Sequence, residues 1–102
     1  IQIVGVQPDD EARIPGIRKW KPEYLPKIFD AKKVDQVIEV NETEAQKTAR
    51  LLASKLGVFS GMSSGGATAA AIKLANTLKS GTIVSIVCDR GDRYLSSDLF
   101  DF

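Results

Sequence analysis

Three short apolar runs constrain the fold most: "IQIVGV" at residues 1–6, "VDQVIEV" at 34–40 and "TIVSIVC" at 82–88. Two stretches with apolar residues at helical spacing lie between the second and the third. Strands that alternate with helices predict an α/β chain, a mostly parallel sheet with flanking helices. The third run is nearly unbroken, the pattern of a strand buried on both faces. A strand-like run at residue one also suggests a piece of something longer.

The first helix is signalled at its start and its end. Asn41 precedes Glu42, Thr43 and Glu44, which fits a capping box with early acids at the positive end of the helix dipole. Ala45, Ala49, Leu52 and Leu56 recur on one face, and Gly57 is placed to stop the helix. Asn41-Glu42-Thr43 also spells a glycosylation sequon, but without a secretion signal the cap is the better reading. A second helical face runs through Ala67, Ala71, Leu74 and Leu78, ended by Ser80-Gly81. All four prolines, Pro8, Pro15, Pro22 and Pro26, fall in residues 8–33, which predicts an irregular excursion with at most a helical turn near 24–29. A loop this long is usually functional or covers something.

Charge and composition exclude several functions. The 102 residues suffice for one small domain or part of a larger one, and a net charge of +1 offers no field to hold nucleic acid or an anionic membrane. There is no histidine, so Ser-His-Asp catalysis, Cys-His catalysis and most zinc sites are ruled out within the chain. The single cysteine, Cys88, can form no internal disulfide, and no metal site is expected. No run approaches the roughly twenty apolar residues of a membrane span, and no signal peptide is visible, so the expected setting is cytoplasmic.

One stretch has more serine and glycine than a turn or a cap requires. "SGMSSGGATAAAIKLA", residues 60–75, gathers Ser63, Ser64, Gly65 and Gly66 at the mouth of a helix. Such a mouth has free N–H groups and a partial positive charge. Glycines allow close approach to the backbone, and hydroxyls can donate or accept. It could receive an oxyanion or the polar edge of a small aromatic ring. A cap combined with a close helix–sheet contact explains the same residues and is favoured on pattern alone. The spacing fits neither a Walker loop nor a dinucleotide fingerprint.

Taken together, "IVGVQP", "IPGIRKWKPEYLPKIFD", "GVFSGMSSGGATAAAIKLA" and "TIVSIVCDRGDRYLSSDLF" resemble, in order, the C-terminal part of the B-type cysteine synthases, or O-acetylserine sulfhydrylases. "CDRGDRYLS" resembles the B type rather than the A type, which has a Ser-Gly-Glu pattern there. The resemblance implies a fold-type II enzyme that uses pyridoxal phosphate (PLP). Its substrates would be O-acetylserine and sulfide or thiosulfate, its products acetate and cysteine or S-sulfocysteine, and its assembly a homodimer. Residues 1–102 would be the C-terminal part of the cofactor-binding catalytic domain.

The resemblance gives Ser63 the cofactor's pyridine nitrogen as a partner. A hydroxyl there is neutral and forces no full positive charge onto the ring; the neighbouring glycines would let the ring edge sit against the backbone, and Ser64 would serve the helix start. Arg18 and Trp20 would border the active-site entrance, where a guanidinium suits an anionic sulfur donor; a solvated turn is the plainer reading. Cys88 and Asp89 would form a corner near the ring, with Cys88 a packing residue and Asp89 ordering the corner or setting donor preference. Tyr94 would pack beneath it. Arg90-Gly91-Asp92, an adhesion tripeptide, is read as coincidence. The family's Schiff-base lysine and its phosphate and substrate-carboxylate loops match nothing here. The resemblance therefore implies no catalytic residue in this chain and no activity for it alone. Two other readings stand beside this one: a related β-replacement or elimination enzyme of cystathionine β-synthase or serine dehydratase type, and a non-catalytic binding module.

Overall fold

The computed structural model describes residues 1–101. Strand β1, Val4–Pro8, pairs in parallel with β2, Gln36–Val40, in the register Val4 to Gln36 through Pro8 to Val40. The connection is the proline-rich excursion, which carries two short 3-10 turns, Pro22–Tyr24 and Ala31–Lys33. Helix α1, Glu42–Leu56, follows β2 directly, and α2, Met62–Ala75, packs on α1 and on the sheet. A last 3-10 turn, Gly91–Tyr94, leads into the tail.

Helix α1 forms as its sequence predicts. The Asn41 side chain accepts from the Glu44 N–H at 2.8 Å, and the Glu44 carboxylate accepts from the Asn41 N–H at 3.0 Å, closing the capping box. Gly57 ends the helix with a left-handed φ of 67°. Ala45 and Ala49 are fully buried in the core beside Val40, Met62, Ala69, Ala70, Ile14 and Leu99, while Leu56 is exposed. Arg50 holds the tail onto this helix by donating to the carbonyls of Leu99 and Asp98. Phe59 meets Phe100 with ring centroids 4.7 Å apart.

Three expectations are corrected. Helix α2 begins at Met62 rather than at residue 67, so the serines and glycines form its first turns. Its buried residues there include Gly65, Gly66, Ala69 and Ala70, because the small residues face α1; Leu78 lies past the helix end and is exposed. The short turn falls at Pro22–Tyr24, where Pro22 supplies the preset φ of a first helical position. Residues 82–88 form no strand. Among the described residues β1 and β2 pair only with each other, so this run has no ladder partner, and Val84, Ile86 and Val87 are exposed. A strand exists by pairing, and an apolar run without neighbours cannot make one. Among the described residues no helix is long and apolar enough to cross a membrane.

Candidate functional site

The first turn of α2 has no local cap. Gly61 occupies the cap position and has no side chain to accept the free N–H groups. Asp89 supplies that acceptor from far along the chain. Its Oδ1 accepts from the Gly61 N–H at 3.2 Å and the Ser64 N–H at 3.0 Å. Its Oδ2 accepts from the Ser63 N–H at 3.1 Å and from the Tyr94 hydroxyl at 2.9 Å. The Ser64 hydroxyl donates to Oδ1 and accepts from the Asp89 N–H at 3.2 Å. An anionic side chain therefore already fills the helix mouth, where the dipole favours it.

The electrostatics follow from that cluster. Partial burial pushes the Asp89 carboxyl upward, but hydrogen bonds from Ser64, Ser63 and Tyr94 favour the anion more strongly, and it titrates below its ordinary value. Tyr94 is shifted up by burial, then by its hydrogen bond to Asp89 and by that residue's charge. The expectation that Ser64 serves the helix start is modified: Ser64 is the third helical residue, and it acts by anchoring Asp89, which does the capping.

Ser63 stands differently. It is buried; its hydroxyl lies 3.1 Å from Cys88 Sγ and also helps to hold the Asp89 carboxylate ionised. On another side it abuts the proline-rich loop: a Cβ added to Gly16 would lie 3.0 Å from Ser63 Cβ and 3.1 Å from its Oγ. Ser60, at the same mouth, is fully buried, and its hydroxyl has no partner among the described residues. The sequence reading did not single out Ser60, and an isolated serine before the helix gave no signal that could have done so.

The glycines of the mouth serve packing. A methyl on Gly65 would overlap the Ala45 carbonyl oxygen and sit 2.9 Å from Ala49 Cβ. One on Gly66 would meet Ile17 Cδ1 at 2.5 Å, and one on Gly61 would strike the Tyr94 ring and the Asp89 carboxylate. In the direction of a Cβ, protein atoms already pack against each of these glycines.

Ser63, Cys88 and Asp89 come together as expected, with Tyr94 beneath Asp89. Arg18 and Trp20 lie apart from them in the loop, both exposed, the guanidinium 5.7 Å from the Trp20 ring centroid. Both line an open cavity of about 740 Å³ shared with Ile14, Gly16 and Tyr24. Gly16 links this loop to Ser63. Lys19 bridges Asp10 and Glu39 and ties the loop to β2, and its ammonium is shifted up by the Asp10 hydrogen bond first.

The mouth fits a cofactor's pyridine nitrogen through one group. Asp89 takes the N–H groups of Gly61, Ser63 and Ser64, so an oxyanion would have to compete with its carboxylate there. The Ser63 hydroxyl sits beside the Cys88 thiol and the Asp89 carboxylate and can turn to donate to a ring nitrogen.

The parallel α/β fold is shared with a known class of enzymes. The family model for pyridoxal-phosphate dependent enzymes matches residues 1–89, and the chain belongs to that family, whose cofactor is PLP. Its fold is that of the fold-type II PLP enzymes, part of whose domain it forms. Among curated relatives, it is 52% identical over 101 residues to cysteine synthase B of Pseudomonas aeruginosa and 49% identical over 100 residues to that of Escherichia coli. These alignments cover 99% and 98% of this chain, but 34% and 33% of the relatives, so the chain spans about a third of their length. Among solved structures, cysteine synthase of Entamoeba histolytica aligns with a TM-score of 0.85 at 34% identity, over all of this chain and 33% of that one. An O-acetylserine dependent cystathionine beta-synthase from Helicobacter pylori aligns at 0.79 and 31% identity, over 98% of this chain and 35% of that one.

Proposed function

We propose that residues 1–102 form the C-terminal part of the catalytic domain of a cytoplasmic, homodimeric cysteine synthase of the B type. The complete enzyme would replace the acetate of O-acetylserine with sulfide or thiosulfate, giving cysteine or S-sulfocysteine. The observation that carries this reading is the 52% identity to cysteine synthase B along 101 residues, against 30% to the O-ureido-L-serine synthase of Streptomyces lavendulae. The exposed apolar run at 82–88 supports a place within a larger sheet.

In this proposal PLP, when bound, supplies the electron sink for β-replacement. Ser63 donates its hydroxyl to the pyridine nitrogen and, being neutral, leaves the ring without an imposed full charge. Cys88 and Asp89 shape the corner beside it. Arg18 and Trp20 border the entrance, where Arg18 draws in the anionic donor and Trp20 forms a wall. The lysine that binds the cofactor lies outside this chain, so residues 1–102 alone make no cysteine.

The test supplies the complete enzyme with O-acetylserine and, in separate reactions, sulfide, thiosulfate and homocysteine. Cysteine and S-sulfocysteine formed faster than cystathionine would support the reading. Preferential cystathionine formation would assign the chain to the cystathionine-forming relatives instead.

A further inference from the structure

We infer that Asp89 is a positioning residue for Ser63: its carboxylate locks the first turn of α2 so that the Ser63 hydroxyl stays available to the cofactor's ring nitrogen. The inference rests on the proposed contact between Ser63 and that nitrogen.

The geometry divides the work between consecutive residues. Cys88 and Asp89 face Ser63 and Ser64 in turn, thiol to hydroxyl at 3.1 Å and carboxylate to hydroxyl. The Ser63 N–H ends on Asp89 Oδ2 at 3.1 Å. Tyr94 donates to the same oxygen at 2.9 Å and fixes it. Gly61 offers no cap of its own, so Asp89 is the side chain that satisfies these donors. Serine in a first helical turn can otherwise turn its hydroxyl onto nearby backbone groups. With its N–H held on Asp89, the Ser63 backbone is fixed, and its hydroxyl is kept between the Cys88 thiol and the Asp89 carboxylate. Gly16 closes off another side of Ser63.

Asp89→Asn separates positioning from bulk. The amide keeps the size and one acceptor oxygen. If that oxygen retains the Gly61 and Ser64 contacts of Oδ1, the amide nitrogen faces the Ser63 N–H and cannot accept from it. Two readouts follow in the complete enzyme. Without cofactor, hydrogen exchange across residues 61–64 should quicken in Asp89→Asn. With PLP labelled with nitrogen-15 in its ring, the ring-nitrogen chemical shift should move in the same direction as in Ser63→Ala. The double variant should move no further than Ser63→Ala alone, because both changes remove one contact.

A ring-nitrogen shift that moves in Ser63→Ala and stays at the wild-type value in Asp89→Asn overturns the positioning role and leaves the Ser63 contact standing. A shift that stays put in Ser63→Ala removes the Ser63 contact and the positioning role with it. Should Asp89→Asn fail to fold, Tyr94→Phe decides: it frees Oδ2 from one donor and should move the shift in the same sense by a smaller amount. A wild-type shift in a folded, cofactor-loaded Tyr94→Phe enzyme overturns the role in that case.

Discussion

Gly65→Ala and Gly66→Ala, neighbours in one helix, should behave differently if the glycines of the α2 mouth serve packing. Either change gains about 1 kcal/mol of helix propensity. At Gly65 the new methyl overlaps the backbone carbonyl of Ala45 and crowds Ala49, so α1 and α2 must move apart. Overpacking against backbone costs about 1–3 kcal/mol, which leaves a net loss of up to about 2 kcal/mol. At Gly66 the nearest atom is the far end of the Ile17 side chain, and turning that side chain costs about 0.5–1.5 kcal/mol. The two terms nearly cancel there. Urea unfolding of the complete enzyme, followed by circular dichroism, should show a lower midpoint for Gly65→Ala and an almost unchanged one for Gly66→Ala. Equal midpoints would refute the packing argument. So would loss of cofactor affinity in Gly66→Ala at unchanged stability, since that is the signature of a glycine clearing a path for ligand.

Other expectations follow from single contacts. Asn41→Ala should cost about 1 kcal/mol by opening the capping box, with cofactor absorbance unchanged. The folded pKa of Asp89 is depressed, so its contribution, about 1 kcal/mol for an anion at a helix mouth, is present above the unfolded value of about 3.9 and lost as pH falls through the lower folded value. The stability gap between wild type and Asp89→Asn should therefore be full at neutral pH and close in acid; a gap independent of pH would contradict the charge argument. Arg18→Ala should weaken use of thiosulfate more than use of sulfide, because a guanidinium can fork the oxygens of the larger dianion, and equal losses in steady-state kinetics would leave Arg18 a structural residue.

The sequence carried the local parts of this fold and lost the parts set by distant neighbours. Helix α1 was legible from Asn41 to Gly57 because cap, periodicity and stop all lie within the helix. The parallel sheet was legible in outline, although β1 and β2 are joined by the proline-rich excursion and not by an α-helix. The start of α2 was misplaced because glycine and serine have poor helix propensity, and the contacts of Gly65 with α1 override it. The cap on that helix was not legible at all, since Asp89 reaches it from beyond the helix and a full apolar run. Residues 82–88 read as a strand from their own composition, yet pairing depends on a neighbour that composition does not encode. The grouping of Ser63, Cys88 and Asp89 and the separate roles of Ser63 and Ser64 came from the resemblance to cysteine synthases; that Ser64 acts through Asp89 came from the geometry.

On the proposed reading, this chain supplies the ring-nitrogen side of a PLP site whose covalent anchor lies elsewhere in the enzyme. The most direct measurement loads the complete enzyme with PLP, reduces it with borohydride, digests it and locates the pyridoxyl label by mass spectrometry. One stoichiometric label is expected on a lysine outside residues 1–102. A stoichiometric label on Lys55, Lys73, Lys79 or any other lysine within this chain would contradict that reading.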